Sequence, residues 1–406
     1  PRPRRAVTPG AVGPGEIARE WTWMGLLGFG GPPTHIRMLR ELCVERRGWL
    51  DATEFEDALA TCNVLPGPAS TQLAIYCAWR VGGWRGGVIG ALGFIVPGLV
   101  AILALAAVFL ADSPPRWVLG AGAGAGAAVA AVAVQAGWAL VRPSWRRARS
   151  HARWALYAAV GAAAAATAGP WVVLALLACG GVDLMLRYAG PDPRSAVIVA
   201  GPAVLGSGRD STGRASAAAL AVTASAVGLT GLAAVAWTAF KVGALSYGGG
   251  FVIVPLMQAD AVSVHGWMTP TQFLNAVALG QITPGPVTQT VAVVGYAAAG
   301  VLGGVLASVV AFAPSVLLIL GGARRFDRLR TSAARSFLDG AGPAAIGAIL
   351  GSAIPLARAL TQPWQLAVLL AAAVLLLAAR RGPVLTLGVS AAVGVVVALA
   401  GGPLAH

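Results

Sequence analysis

Residues 65–72 read LPGPASTQ and residues 283–290 read TPGPVTQT. In each stretch a proline–glycine–proline triplet ends one helix and lets another begin, because proline lacks an N–H and glycine tolerates a sharp reversal. The new helix starts with free backbone N–H groups near residues 69–72 and 287–290. Hydroxyl and amide side chains stand beside them: Ser70, Thr71 and Gln72 in one copy, Thr288, Gln289 and Thr290 in the other. Such side chains donate hydrogen bonds without adding charge, and a helix N-terminus attracts anions. The chemistry on offer is therefore the holding of an oxyanion. The alternative is that each triplet only kinks a continuous helix, with the hydroxyls as caps. Other reactive residue types are thinly spread. Cys43, Cys62, Cys77 and Cys179 show no CxxC spacing, the four histidines are scattered, and neither set has metal-ligand spacing. No metal or cofactor is expected, and with no nucleotide-binding motif or paired redox thiols the chain does not read as an enzyme.

These segments sit in a chain of 406 residues that is 57% hydrophobic and 11% charged, with a mean hydropathy of +0.75. Apolar runs at 88–111, 117–141, 301–320 and 383–400 have the length of helices that cross a hydrocarbon core of about 30 Å. Helices, not a barrel, fit runs of this kind. The formal net charge of +14 would suit a nucleic-acid partner, but the arginines fall in short clusters between apolar segments. They read as topology signals in a lipid bilayer, and no nucleic acid is expected. Residues 1–16 form a basic Pro/Gly-rich tail without the apolar core of a signal peptide.

An offset of 218 places Phe29-Gly30-Gly31 on Tyr247-Gly248-Gly249, Trp49 on Trp267, Phe55 on Phe273 and Pro66-Gly67-Pro68 on Pro284-Gly285-Pro286. At an offset of 217, Gly86-Gly87 falls on Gly303-Gly304 and Pro97 on Pro314. The chain thus divides into the tail, a first repeat at 17–188, a basic cytoplasmic linker plus connecting transmembrane helix at 189–231, and a second repeat at 232–402. Arg142, Arg146, Arg147, Arg149 and Arg153 follow the second long helix of the first repeat, where the second repeat has no arginine at 359–365. The second repeat instead carries Arg324, Arg325, Arg328, Arg330 and Arg335 one helix earlier. Because basic loops stay cytoplasmic, the repeats are expected to be inverted, as in secondary transporters. With Arg37, Arg40, Arg46 and Arg47 before it and Arg80 and Arg85 after it both cytoplasmic, 55–81 is expected to enter and leave on the same side, as a re-entrant hairpin with Pro66-Gly67-Pro68 at its tip. Thr53 with Glu56, and Thr269 with Pro270 and Gln272, read as matching helix caps. The expected fold is an all-α polytopic membrane protein of two inverted-topology repeats, with re-entrant, broken-helix hairpins meeting near the bilayer middle. GFGGPP (28–33) and SYGGG (246–250) read either as second tips of this kind or as close helix packing through small residues.

GFGGPPTHI, ERRGWLDATEF, LPGPASTQLAIY and GFIVPG in the first half, with SYGGGFVIVPL, GWMTPTQF and TPGPVTQT in the second, closely resemble the chromate transporter (CHR) family in its long bidomain form. The resemblance covers almost the whole chain. It implies export of chromate across the bacterial inner membrane, driven by the proton-motive force or by exchange with sulfate. It also implies a path lined by Gly30, Gly31, Pro32 and His35, by Pro66, Gly67, Pro68, Ser70, Thr71 and Gln72, and by Gly248, Gly249, Gly250, Pro284, Gly285, Pro286, Thr288 and Gln289. His35 has no counterpart, since Ile253 stands at the matching place. A passive anion channel and a transporter of sulfate or another oxyanion are the alternatives on the same scaffold. Oligomeric state is not legible in the residues, and a homodimer stays open.

Lys241 is the only lysine and stands in an apolar arm seven residues before Gly248. Two readings are open: it faces the anion path, or it snorkels to lipid headgroups. For proton coupling the candidates are Glu20, His35, Glu54, Glu56, Asp57 and Asp260. Glu54 to Asp57 also suit the first turn of a capped helix, and Asp260 is expected at the outer surface.

Overall fold

The computed structural model describes residues 12–63, 65–111, 113–167, 172–188, 217–246, 253–322 and 332–404, and among them there is no strand. The first half contains α1 (Pro14–Leu27), α2 (Pro32–Arg40) continued by a π-helical turn (Glu41–Arg46), α3 (Ala52–Cys62), α4 (Ala69–Phe109), α5 (Arg116–Arg147), α6 (His151–Thr167) and α7 (Val172–Tyr188). The second contains α8 (Ala217–Leu245), α9 (Ile253–Gln258) with its own π-helical turn (Ala259–Val264), α10 (Pro270–Ile282), a 3₁₀ turn (Val287–Gln289) leading into α11 (Thr290–Gly322), α12 (Ser332–Arg358), α13 (Pro363–Ala373) and α14 (Pro383–Leu399).

Backbone geometry recurs at the sequence offset. The two π-helical turns and the starts of α3 and α10 fall on matching positions. Left-handed glycines pair in the same way: Gly67 (φ 116°) with Gly285 (φ 92°) at the tips, and Gly83 (φ 64°) with Gly300 (φ 61°) at breaks inside α4 and α11. Any other residue would be strained at the tips, so the glycine of each triplet is fixed by conformation. The cap of α3 corrects the expectation of Thr53 with Glu56. Asp51 is the N-cap and accepts the Glu54 N–H at 2.8 Å. Asp51 is also the residue that the offset places on Thr269, which caps α10 reciprocally with Gln272 behind Pro270.

Ala69–Phe109, Arg116–Arg147, Val287–Gly322 and Ser336–Arg358 are long and apolar enough to cross a membrane, whereas the run expected at 383–400 forms the shorter α14. Residues 80–87 contain the break at Gly83, and Arg80 lies back against α3 in an ion pair with Glu54. The expected boundary at 231/232 falls inside α8, and residues 189–216 lie outside the described residues. Long helices approach closely through small residues. A β-carbon on Gly120 or Gly124 of α5 would collide with α14 at Gly394 or Ser390, and one on Gly161 of α6 would collide with α12 at Ala344. Trp21, Phe55 and Phe94 anchor one apolar cluster, and Ile253, Met257 and Phe273 anchor its counterpart.

Candidate functional site

At the first tip α3 ends at Cys62 and α4 begins at Ala69. The N–H groups of Thr71 and Gln72 both donate to the Pro68 carbonyl at 3.0 Å, so those of Ala69 and Ser70 stand ahead of the first intrahelical bond. Ser70, Thr71 and Gln72 are all buried. Gln72 Nε2 donates to the Pro66 carbonyl at 2.6 Å and lies 3.4 Å from Ser315 Oγ of α11. Thr71 Oγ1 and Gln72 Oε1 have no partner. A buried polar atom left so costs about 1–3 kcal/mol, and Thr71 Oγ1 is a donor that an anion would satisfy.

The second tip is more fully bonded. Gln289 Nε2 donates to the Ile95 carbonyl at 2.9 Å, Ser308 Oγ donates to Gln289 Oε1 at 3.0 Å, and Thr290 Oγ1 donates to the Val287 carbonyl at 2.8 Å. Thr288 is buried beside them. Each tip packs on the opposite half of the chain. A β-carbon on Gly67 would lie 2.5 Å from Ser315 Oγ, and one on Gly98 of α4 would lie 2.6 Å from the Pro284 carbonyl oxygen.

One carbonyl joins the tips. Gly28 O, at the end of α1, accepts the Gly285 N–H at 3.1 Å and lies 2.9 Å from His35 Nε2. With Nε2–H donating there, the uncharged ring leaves Nδ1 as an acceptor, and Ser70 Oγ stands 3.5 Å from it. The ring meets Phe94 edge-on, with centroids 4.9 Å apart. A chain Ser70–His35–Gly28–Gly285 thus runs from one triplet to the other. Gly30 and Gly31 (φ 94° and 74°) make the turn between α1 and α2, and Pro32 opens α2. Gly248, Gly249 and Gly250 lie outside the described residues.

Lys241 is brought to an acid. Its Nζ is 2.5 Å from Asp260 Oδ2, and Thr238 Oγ1 donates to the same oxygen at 2.9 Å. Asp260 is only 6% exposed, contrary to the expected outer-surface position, because the π-helical turn that carries it faces α8. Among the other proton candidates, Glu54 pairs with Arg80, Glu56 with Arg40 and Glu20 with Arg47. Sequence reasoning missed Ser246, Ser308 and Ser315. For Ser308 and Ser315 isolated hydroxyls in an apolar helix were the available signal, whereas Ser246 opens the SYGGG stretch already singled out; the offsets place Ser246 on Gly28 and Ser315 on Gly98.

Comparison with known proteins adds a second kind of observation. A sequence profile of the family described as chromate transporter matches the chain twice, at residues 15–182 and 233–395. A chromate transport protein of Pseudomonas aeruginosa is 30% identical over 353 residues, 84% of this chain and 81% of that one. One of Cupriavidus metallidurans is 29% identical over 350 residues, covering 84% and 82%. A probable chromate transport protein of Synechococcus elongatus is 28% identical over 352 residues, 84% of each. No solved structure matches the chain.

Proposed function

Because the chain belongs to the chromate transporter family, we propose that this multi-pass membrane protein exports chromate across the bacterial inner membrane as a secondary transporter. In this reading its two halves are inverted repeats, and their re-entrant hairpins present the two tips to one anion. The observation that carries it is the joining of both triplets through the Gly28 carbonyl and His35. Two helix N-termini, each equivalent to about half a positive charge, together with hydroxyl and amide donors, offset part of the charge of a tetrahedral dianion. Among the described residues no arginine is bonded to the tips, and Lys241 is neutralised by Asp260. An anion is held weakly enough to leave. Lys241 contributes to the path only when its ion pair opens.

The direction has a physical basis. Moving one charge through 100 mV is worth about 2.3 kcal/mol, so an inside-negative potential of that size drives a dianion outward by about 4.6 kcal/mol. Proton antiport adds to that drive, whereas exchange with sulfate, an anion of the same charge and shape, cancels it. The test is chromate uptake into inverted vesicles with an imposed potential, an imposed pH gradient or trapped sulfate. Uptake that follows chromate's own electrochemical gradient, with no response to protons or trapped sulfate, would replace the transporter by a channel. Wild-type uptake by the Ser70→Val, Thr288→Val double variant would remove the tips from the site.

A further inference from the structure

Beside the first tip lies a cavity of about 560 Å³ between α3, the end of α5, the start of α6 and α12. Its wall includes Ala60 and Asn63 at the last turn of α3, so it reaches the residues that lead directly into Pro66-Gly67-Pro68. Across from them stand Arg147, Arg149 and Arg153. Arg153 Nη1 is held by Asp183 at 2.8 Å, and Arg149 Nε stands a loose 3.6 Å from Asp339. Arg147 bonds only the Pro143 carbonyl and has no carboxylate partner among the described residues. Ser150 and the N-terminus of α6 line the same wall, with Ser150 Oγ accepting the Arg153 N–H at 3.4 Å. The lining carries more positive than negative side chains and adds oriented N–H groups at a helix start.

The matching face of the second repeat is covered. Ala60 and Asn63 are exposed, while their offset partners Ala278 and Gln281 on α10 are buried. α10 packs at Asn275 against glycines of α5, the repeat counterpart of α12. β-Carbons on Gly122 and Gly126 would lie 2.9 and 3.0 Å from the Asn275 amide. Asn275 Oδ1 and Gln281 Nε2 are buried on α10 without hydrogen-bond partners.

We infer that the cavity is a capture site for tetrahedral oxyanions, the vestibule in which the anion is concentrated by Arg147 and Arg149 before it meets the first tip. The space greatly exceeds one such anion, so the anion is held there hydrated, by long-range attraction. At roughly 8 Å in water each arginine then changes dianion occupancy about fivefold at low ionic strength, and about twofold at physiological salt. The assignment of the vestibule to loading rests on the proposed export; binding in it does not.

The experiment pairs chromate uptake into inverted vesicles with equilibrium dialysis of radiolabelled chromate against the purified full chain, for wild type, Arg147→Gln, Arg149→Gln and the double variant. The expected result is a half-saturating concentration raised about fivefold per arginine at low salt, a flatter salt dependence, an unchanged maximal rate and weaker retention in dialysis. Flux with an unchanged half-saturating concentration in the double variant overturns the vestibule and leaves the transport reading standing. Arginine-dependent retention in a protein that moves no chromate keeps the capture site and sinks the export. A lowered maximal rate at saturating chromate with unaltered half-saturation also overturns the inference, since it places the arginines in the transport step.

Discussion

Replacing His35 by leucine should uncouple the two tips. The ring's bond to Gly28 O at 2.9 Å is worth about 1 kcal/mol net, since that carbonyl keeps the Gly285 N–H. Its contact with Ser70 is longer, 3.5 Å, so the coupling there falls near the lower end, about 0.5–1 kcal/mol. Imperfect refilling of a fully buried site adds about 1–2 kcal/mol. The sum is about 2.5–4 kcal/mol, read as a lowered apparent Tm of the purified full chain by size-exclusion survival after heating. Ser70→Ala alone should cost less, and in the His35→Leu background nearly nothing, because its partner is already gone. His35→Gln, which retains a donor, should recover part of the loss. Strict additivity of His35→Leu and Ser70→Ala, or an unchanged Tm for His35→Leu, would refute the bridge.

Lys241→Gln and Asp260→Asn should each lower stability by about 2–4 kcal/mol, since each strands a mostly buried charge, while the double variant should cost less than either single change; additive losses in the same heating assay would show that the pair is not coupled. Glu45 and Ser263 are both exposed and related by the offset of 218. Inverted repeats require Glu45→Cys to label from the cytoplasmic side and Ser263→Cys from the outside with an impermeant reagent, and labelling from one side would remove the inversion.

The tips were readable because proline and glycine leave marks in sequence that survive any tertiary arrangement: Gly67 and Gly285 sit at left-handed φ where the triplets predicted a reversal. The duplication was readable for the same reason, through glycines, prolines and tryptophans at constant offset. What stayed hidden depends on packing. Thr53 and Asp51 are both competent caps by residue type, and only the turn ahead of α3 selects Asp51. Asp260 looked like a surface acid because nothing in its neighbourhood announces a π-helical turn that swings it towards Lys241. The break inside α4 rests on a single glycine, Gly83, and one glycine among many carries no distinguishing mark in sequence. The use of Ser315 and Ile95 as partners of the opposite tip is a long-range fact that no local pattern encodes.

The crossed packing sets a timetable for biosynthesis. Gln72 meets Ser315 across 243 residues of chain, and at a synthesis rate of about 5–20 residues per second the first hairpin waits roughly 12–50 s for that partner to emerge. Throughout that interval Gln72 lacks its α11 partner, while Ser70 already has His35 within reach. The second tip has no such delay, because Ile95 and Gly28 are in place before Gln289 and Gly285 are made. The second tip therefore finds its first-half partners already made, whereas the first tip meets Ser315 only once α11 has been made.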